Sequence, residues 1–119
     1  MHNQELGKLG EQKAAEYLLS LGYQILQKNF KAKYGEIDII CLEEMTLVFV
    51  EVKTRWSKEF GEPEEAVTPW KIRTIARTGE YYSLLNPGLP ELLRIDVVGI
   101  MMDANGTVER LTLTKNVTG

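Results

Sequence analysis

Asp38, Glu51 and Lys53 are the residues of this chain whose types and spacing could do chemistry. They lie in two runs rich in β-branched and aromatic residues, 35–41 (GEIDIIC) and 47–55 (LVFVEVKTR), joined by the polar link Glu43-Glu44-Met45-Thr46. Such runs read as the two strands of a hairpin. Strand side chains alternate between faces. The first strand therefore puts Glu36, Asp38 and Ile40 on one face and Ile37, Ile39 and Cys41 on the other. The second groups Glu51 and Lys53 with Phe49 and turns Val48, Val50 and Val52 away. Paired strands lie about 5 Å apart, so two carboxylates and an ammonium converge on one small volume. Hard oxygen donors of this kind suit Mg2+, which takes one or two carboxylates and keeps several waters.

The ordinary alternative is a solvated sheet face, where Lys and Glu are common. Ile40 and Phe49 on the charged face argue for burial instead. A charge among large apolar neighbours is costly unless it is paired or holds a metal.

A third acidic group comes from the N-terminal segment. Residues 4–21 have helical composition, and Gly22 is a natural C-terminal stop. Steps of three and four place Gly7, Glu11, Ala14, Ala15 and Leu18 on one stripe. Glu11 thus falls on the small, apolar face expected to pack on the sheet, while Glu5 and Glu16 face water. Gly7 and Gly10 each lower helix propensity by about 1 kcal/mol relative to Ala. They make sense where the helix must approach another backbone closely. The alternative is that Glu11 only borders the apolar face and extends its carboxylate into solvent.

The order helix-Glu, strand-Asp, then Glu-X-Lys on the next strand resembles the restriction-endonuclease-like superfamily, PD-(D/E)-X-K. That group includes archaeal Holliday-junction resolvases and many restriction enzymes. Over nearly the whole chain the resemblance is closer still, to the small YraN-like bacterial proteins. It is carried by a Gly-X-X-Gly-Glu run near the start, Gly22-Tyr23, Asn29-Phe30, residues 35–38 (GEID), residues 49–55 (FVEVKTR) and residues 94–98 (RIDVV).

The resemblance implies an α/β fold with a restriction-endonuclease-like core, a central mixed sheet flanked by helices, in one domain over residues 1–119. It implies a catalytic set of Glu11, Asp38, Glu51 and Lys53. Mg2+ (or Mn2+) would be held by Asp38, Glu51 and the backbone carbonyl of Val52, with Glu11 binding a second ion or a metal-bound water. Such an ion acidifies a water and neutralises charge growing on a phosphate, while Lys53 orients or helps deprotonate the attacking water. Glu36 could do outer-shell work. The expected reaction is hydrolysis of phosphodiester bonds in DNA, rather than RNA, with branched or damaged DNA in repair or recombination as substrate. A homodimer would suit a junction with two symmetric scissile strands. The competing class is a non-catalytic nucleic-acid-binding or protein-interaction module that retains the fold.

The elements that must position these groups are legible along the chain. Residues 56–70 read as a loop broken by Gly61 and Pro63. Thr68-Pro69 reads as an N-cap and first helical position, opening a helix to about Leu85 that presents Ile72, Ile75, Ala76 and Tyr82 inward. Gly79 inside it either loosens the helix or admits a close neighbour. After the turn Asn86-Pro87-Gly88-Leu89-Pro90 comes a strand from Leu92 to Met102, with Arg94, Asp96 and Val98 on one face and Ile95 and Val97 on the other. Arg94 and Asp96 either form a structural pair or buttress the active-site sheet. Asn105-Gly106 signals a hairpin before a last strand, Val108–Thr114. The order is helix, three strands, helix, two strands.

Composition sets bounds on the partners. The 119 residues fit one core. The net charge of −3 counts against a strongly basic nucleic-acid binder. Cations are nevertheless gathered locally: Lys28, Lys31 and Lys33, then Arg55 and Lys58, then Lys71, Arg73 and Arg77. Arg55, Lys58, Lys71 and Arg73 are the candidates for holding a phosphate backbone; otherwise they are solubilising charges. Trp56 and Phe60 are either base-stacking residues or loop anchors. The single cysteine, Cys41, reads as structural, and His2 as terminal and uninvolved. No membrane span or secretory signal is expected, and a reducing cytoplasm is the expected home.

Overall fold

The computed structural model describes residues 3–56 and 61–118; His2, Lys58 and Phe60 lie outside them. Helix α1 (Asn3–Ser20) buries Leu6, Gly10, Ala14, Ala15 and Leu18, a stripe with helical spacing. It stops at Gly22, whose φ of +94° is left-handed. The Gly22 and Tyr23 amides donate to the Leu19 and Leu18 carbonyls, both at 3.0 Å, capping groups the helix leaves open.

Three antiparallel strands follow, β1 (Gln24–Ala32), β2 (Gly35–Glu43) and β3 (Thr46–Arg55). The β2–β3 link is only Glu44-Met45, shorter than the polar link expected, and Glu44 takes φ +53°. A positive φ there is normally the province of Gly or Asn.

Residues 63–66 form one turn of 3-10 helix in the segment expected to be loop. Helix α2 (Pro69–Leu85) starts where Thr68 accepts from the Lys71 amide at 3.2 Å. It crosses over to β4 (Leu92–Met102), which pairs in parallel with β3, and β5 (Val108–Thr114) returns antiparallel. Sheet order is β1-β2-β3-β4-β5. The described residues thus form a mixed α/β fold of one five-stranded sheet and two α-helices.

One helix covers each face. Under α1 lie Ile39, Cys41, Val48, Val50, Val98 and Ile100. Under α2 lie Ile37, Ile40, Leu47, Phe49 and Ile95, with Ile75 and Tyr82 from the helix itself. Each such fully buried side chain contributes roughly 1.5–3 kcal/mol. Gly79 admits a close neighbour: a Cβ there would meet the Phe49 ring 2.5 Å away.

Cys41 is buried and its thiol donates to the Val48 carbonyl at 3.7 Å, with burial pushing its pKa up to about 12. That is a structural cysteine. Among the described residues no helix is long and apolar enough to cross a membrane.

Candidate active site

The simple face alternation expected of β2 fails at Asp38. Ile37 packs under α2 and Ile39 under α1, although they are two residues apart. The β2–β3 ladder explains the break, because its pairing ends at Ile39 opposite Val50. One step further the Asp38 carboxylate replaces the backbone as acceptor, taking the Val52 amide at 2.8 Å. On the other side of β2, Asn29 lies between the pairs Lys28–Ile39 and Phe30–Ile37 with φ +54°. With β1 distorted at Asn29 and the pairing to β3 ended, the sheet opens at Asp38. In an extended strand the N–H and C=O of one residue point to the same edge. The Val52 carbonyl therefore faces the opening too.

Glu51 keeps its expected face. It is buried and its Oε2 lies 3.9 Å from Lys71 Nζ on α2. Its pKa is raised to about 8, first by burial, then by the charge of Asp38 and by sharing a proton with it. Lys71 and Lys53 oppose that rise without cancelling it. Asp38 and Glu51 thus form a carboxylate pair whose mutual repulsion is relieved by a proton on Glu51 at neutral pH, a role that a bound cation would take over.

Glu11 is half-buried on α1, and its pKa is also raised, by burial and then by Asp38 and Glu36. The side chain of Asn29 and the charge of Lys28 act the other way. Glu11 therefore approaches Asp38 and Glu36 from the α1 side, as the helical stripe requires. Among the described residues no three His, Cys, Asp or Glu side chains come together as a metal-holding group. The donor set that fits a divalent ion is Asp38, Glu51 and the Val52 carbonyl, completed by water, a set typical of Mg2+.

A cleft of about 280 Å3 runs between α1 and the end of β3, lined by Gly7, Glu11, Lys53, Arg55 and Trp56 among others. Among the described residues nothing lies within 4 Å of where a Gly7 Cβ would be, so Gly7 leaves the cleft open there and makes no close approach to them. Gly10 is the residue that lets α1 settle on β3, against the Thr54 side chain and not against backbone as expected. Arg55 Nε is buried with no hydrogen-bond partner among the described residues, a donor open to an anion. Trp56 is 41 % exposed at the cleft wall. Arg73 is exposed on α2. Lys71 is already engaged by Glu51, a role that the sequence did not single out.

A family model described as "Uncharacterised protein family UPF0102" matches residues 10–100, from the middle of α1 to near the end of β4. The chain belongs to that family. The resemblance to YraN-like bacterial proteins is thereby borne out. Among the UPF0102 proteins, one from Caldicellulosiruptor saccharolyticus is 46% identical over 116 residues, 98% of each chain. One from Syntrophomonas wolfei is 46% identical over 101 residues, 85% of this chain and 88% of the other. A third, from Mycolicibacterium vanbaalenii, is 43% identical over 96 residues, 81% of this chain and 79% of the other.

Proposed function

We propose that this UPF0102 protein is a metal-dependent nuclease built on a restriction-endonuclease-like core, hydrolysing phosphodiester bonds in DNA. The observation that carries this reading is the opening of the β2–β3 ladder. It sets the Asp38 and Glu51 carboxylates against each other beside Lys53. A purely structural sheet gains nothing by setting two carboxyl groups where one must hold a proton to be tolerated.

When bound, Mg2+ or Mn2+ would supply Lewis-acid activation of water and offset charge on the phosphate. Asp38, fixed by the Val52 amide, and Glu51, held toward Lys71, would hold the ion together with the Val52 carbonyl. Lys53 orients the attacking water and stabilises the negative charge that grows on phosphorus's oxygens. Glu11, whose proton affinity is raised, holds a water at the α1 side of the cleft. Arg55 offers its buried Nε to a phosphate oxygen. Branched or damaged DNA acted on by a homodimer is the form of substrate that the junction-resolvase resemblance favours.

One observation favours the second reading, a non-catalytic binding or interaction module. Lys71 already supplies Glu51 with a cationic neighbour at 3.9 Å, which could stand in for the metal's charge. A cleavage panel decides between them: single-stranded, duplex, flapped and four-way-junction DNA plus an RNA, each with Mg2+ or Mn2+, for wild type and Lys53→Ala. Cleavage that chelator and Lys53→Ala both abolish supports the nuclease. A folded, metal-binding protein that cuts nothing in the panel supports the module.

A further inference from the structure

We propose that the groove between the β1–β2 hairpin tip and the C-terminal half of α2 holds unpaired nucleotides of a single-stranded nucleic acid. This inference rests on the reading of the chain as a nucleic-acid hydrolase and names the form of strand that it receives. The groove measures about 510 Å3 and is lined chiefly by Phe30, Lys31, Lys33, Tyr34, Tyr81 and Leu85. Tyr34, Tyr81 and Leu85 are 51 %, 45 % and 54 % exposed, an uncommon concentration of apolar surface at one place.

The groove is built in advance. Phe30 meets Tyr82 edge-on with ring centroids 5.0 Å apart, and Tyr81 lies beside Phe30 at 6.4 Å, tilted by 31°. Arg77 places its guanidinium 4.4 Å from the centroid of Tyr34, which holds that ring. Gly35 lets the hairpin tip sit on α2, since a Cβ there would come within 2.7 Å of Thr74 Cγ2. Little ordering is left for a ligand to induce.

Charge chooses the occupant. Lys31, Lys33 and Arg77 surround the aromatic rings, in a chain whose net charge is −3. Among the described residues no acidic side chain lines the groove; Glu36 lies opposite Lys31 across the hairpin, and Glu80 is exposed next to Tyr81. A second copy docking face to face would set these cations against themselves. An anionic strand meets them favourably, and its unstacked bases have faces for the rings, the combination that single-strand binders use. Duplex bases are already stacked and have no such faces to offer. The location serves the active site: Gly35 and Asp38 are three residues apart on β2, about 10 Å of strand. One nucleic-acid strand could pass from the groove to the carboxylate pair.

The test is anisotropy of a labelled single-stranded oligonucleotide and its duplex, in chelator so that nothing is cut. Wild type is compared with Tyr34→Ala/Tyr81→Ala and with Lys31→Gln/Lys33→Gln. The tyrosine variant should bind the single strand roughly ten-fold more weakly, with the duplex unaffected. The lysine variant should lower the salt dependence, by about 1.4 in the slope of log K against log salt. The assignment is overturned if the tyrosine variant binds the single strand like wild type, or if it loses single strand and duplex equally. It is also overturned if poly-glutamate displaces the oligonucleotide as well as unlabelled DNA does, or if the tyrosine substitutions dissociate a wild-type dimer in sedimentation. Failure of the hydrolase reading looks different. Groove-dependent single-strand binding with no cleavage under either metal removes the nuclease and leaves the groove, whereas Lys53-dependent cleavage with groove-independent binding does the reverse.

Discussion

Asp96 on β4 and Glu51 on β3 are buried carboxylates on adjacent parallel strands, yet their surroundings differ sharply. Asp96 accepts from the Tyr23 hydroxyl at 2.9 Å, from Arg94 Nε at 2.9 Å and Nη2 at 3.0 Å, and from the Asn116 amide at 3.0 Å. Arg94 goes on to Glu43 at 2.6 Å, and Lys115 closes the chain onto Glu43 at 2.8 Å. Every charge there has an opposite partner supplied by the fold. Glu51 has another carboxylate for its strongest charged neighbour, and Lys71 at 3.9 Å and Lys53 do not outweigh it and its burial. The fold satisfies one acid completely and leaves the other short of positive charge. The first arrangement holds elements together; the second invites a cation from outside.

Asp96→Ala should have the largest effect on stability. It strips Arg94 of its principal partner and leaves the Tyr23 hydroxyl and the Asn116 amide unmatched. Breaking such a buried pair costs about 3–5 kcal/mol, and Glu43, still holding Arg94, keeps the expectation at the lower end. Urea unfolding reads it as a lowered midpoint with unchanged slope. A loss below ~1 kcal/mol would remove the contrast, since Asp96 would then be no more structural than a surface acid.

Glu51→Gln should go the other way. The folded-state pKa of Glu51, about 8, lies above its ordinary 4.5, so the native state binds this proton more tightly than the unfolded chain. The stability from that proton is fully present below pH 4.5 and is lost as pH rises through about 8. Metal-free wild type should therefore weaken across this window, and the glutamine variant should not. Thermal melts at an acid and an alkaline pH should show near-equal stability at the first and a higher melting temperature for the variant at the second. Adding Mg2+ should stabilise wild type at alkaline pH and leave Glu51→Gln unmoved. A variant less stable than wild type at alkaline pH would mean that Glu51 is satisfied after all, as Asp96 is.

The two regions also differ in how far the sequence reveals them. The helix start at Thr68-Pro69, the stop at Gly22 and the bounds of β4 and β5 follow from local rules, because capping, positive φ and strand periodicity act over a few residues. Glu51 and Glu11 were legible for the same reason: each sits at a periodic position among apolar neighbours. The placement of Asp38 was not, since the alternation breaks where Asn29 takes φ +54° and the ladder ends, a distortion set by two neighbouring strands. The Asp96 network was half legible. Arg94 and Asp96 share a face by spacing, but Tyr23 lies 73 residues from Asp96 and Glu43 lies 51 from Arg94. Only tertiary packing joins them. Lys71 reads from sequence as a phosphate-binding cation, and its proximity to Glu51 depends on how α2 crosses β3.

The two lysines give the smallest effects and the finest test of the contrast. Lys71→Ala removes an attraction that exists only while Glu51 is ionised, so it should cost about 1 kcal/mol at pH 9 and almost nothing at pH 5. Lys115 is half-exposed, and Glu43 keeps Arg94 without it. Lys115→Ala should cost at most ~0.5 kcal/mol. Its pH trend is opposite, because Lys115 is the main cause of a lowered Glu43 pKa. That contribution is present above the ordinary value of 4.5 and lost as pH falls through the lowered one. Between pH 5 and pH 9 the Lys115 effect should therefore stay flat while the Lys71 effect grows. Equal costs for Lys71→Ala at both pH values would mean that Glu51 carries its charge throughout, already balanced by the protein, and the carboxylate pair would have no need of a metal.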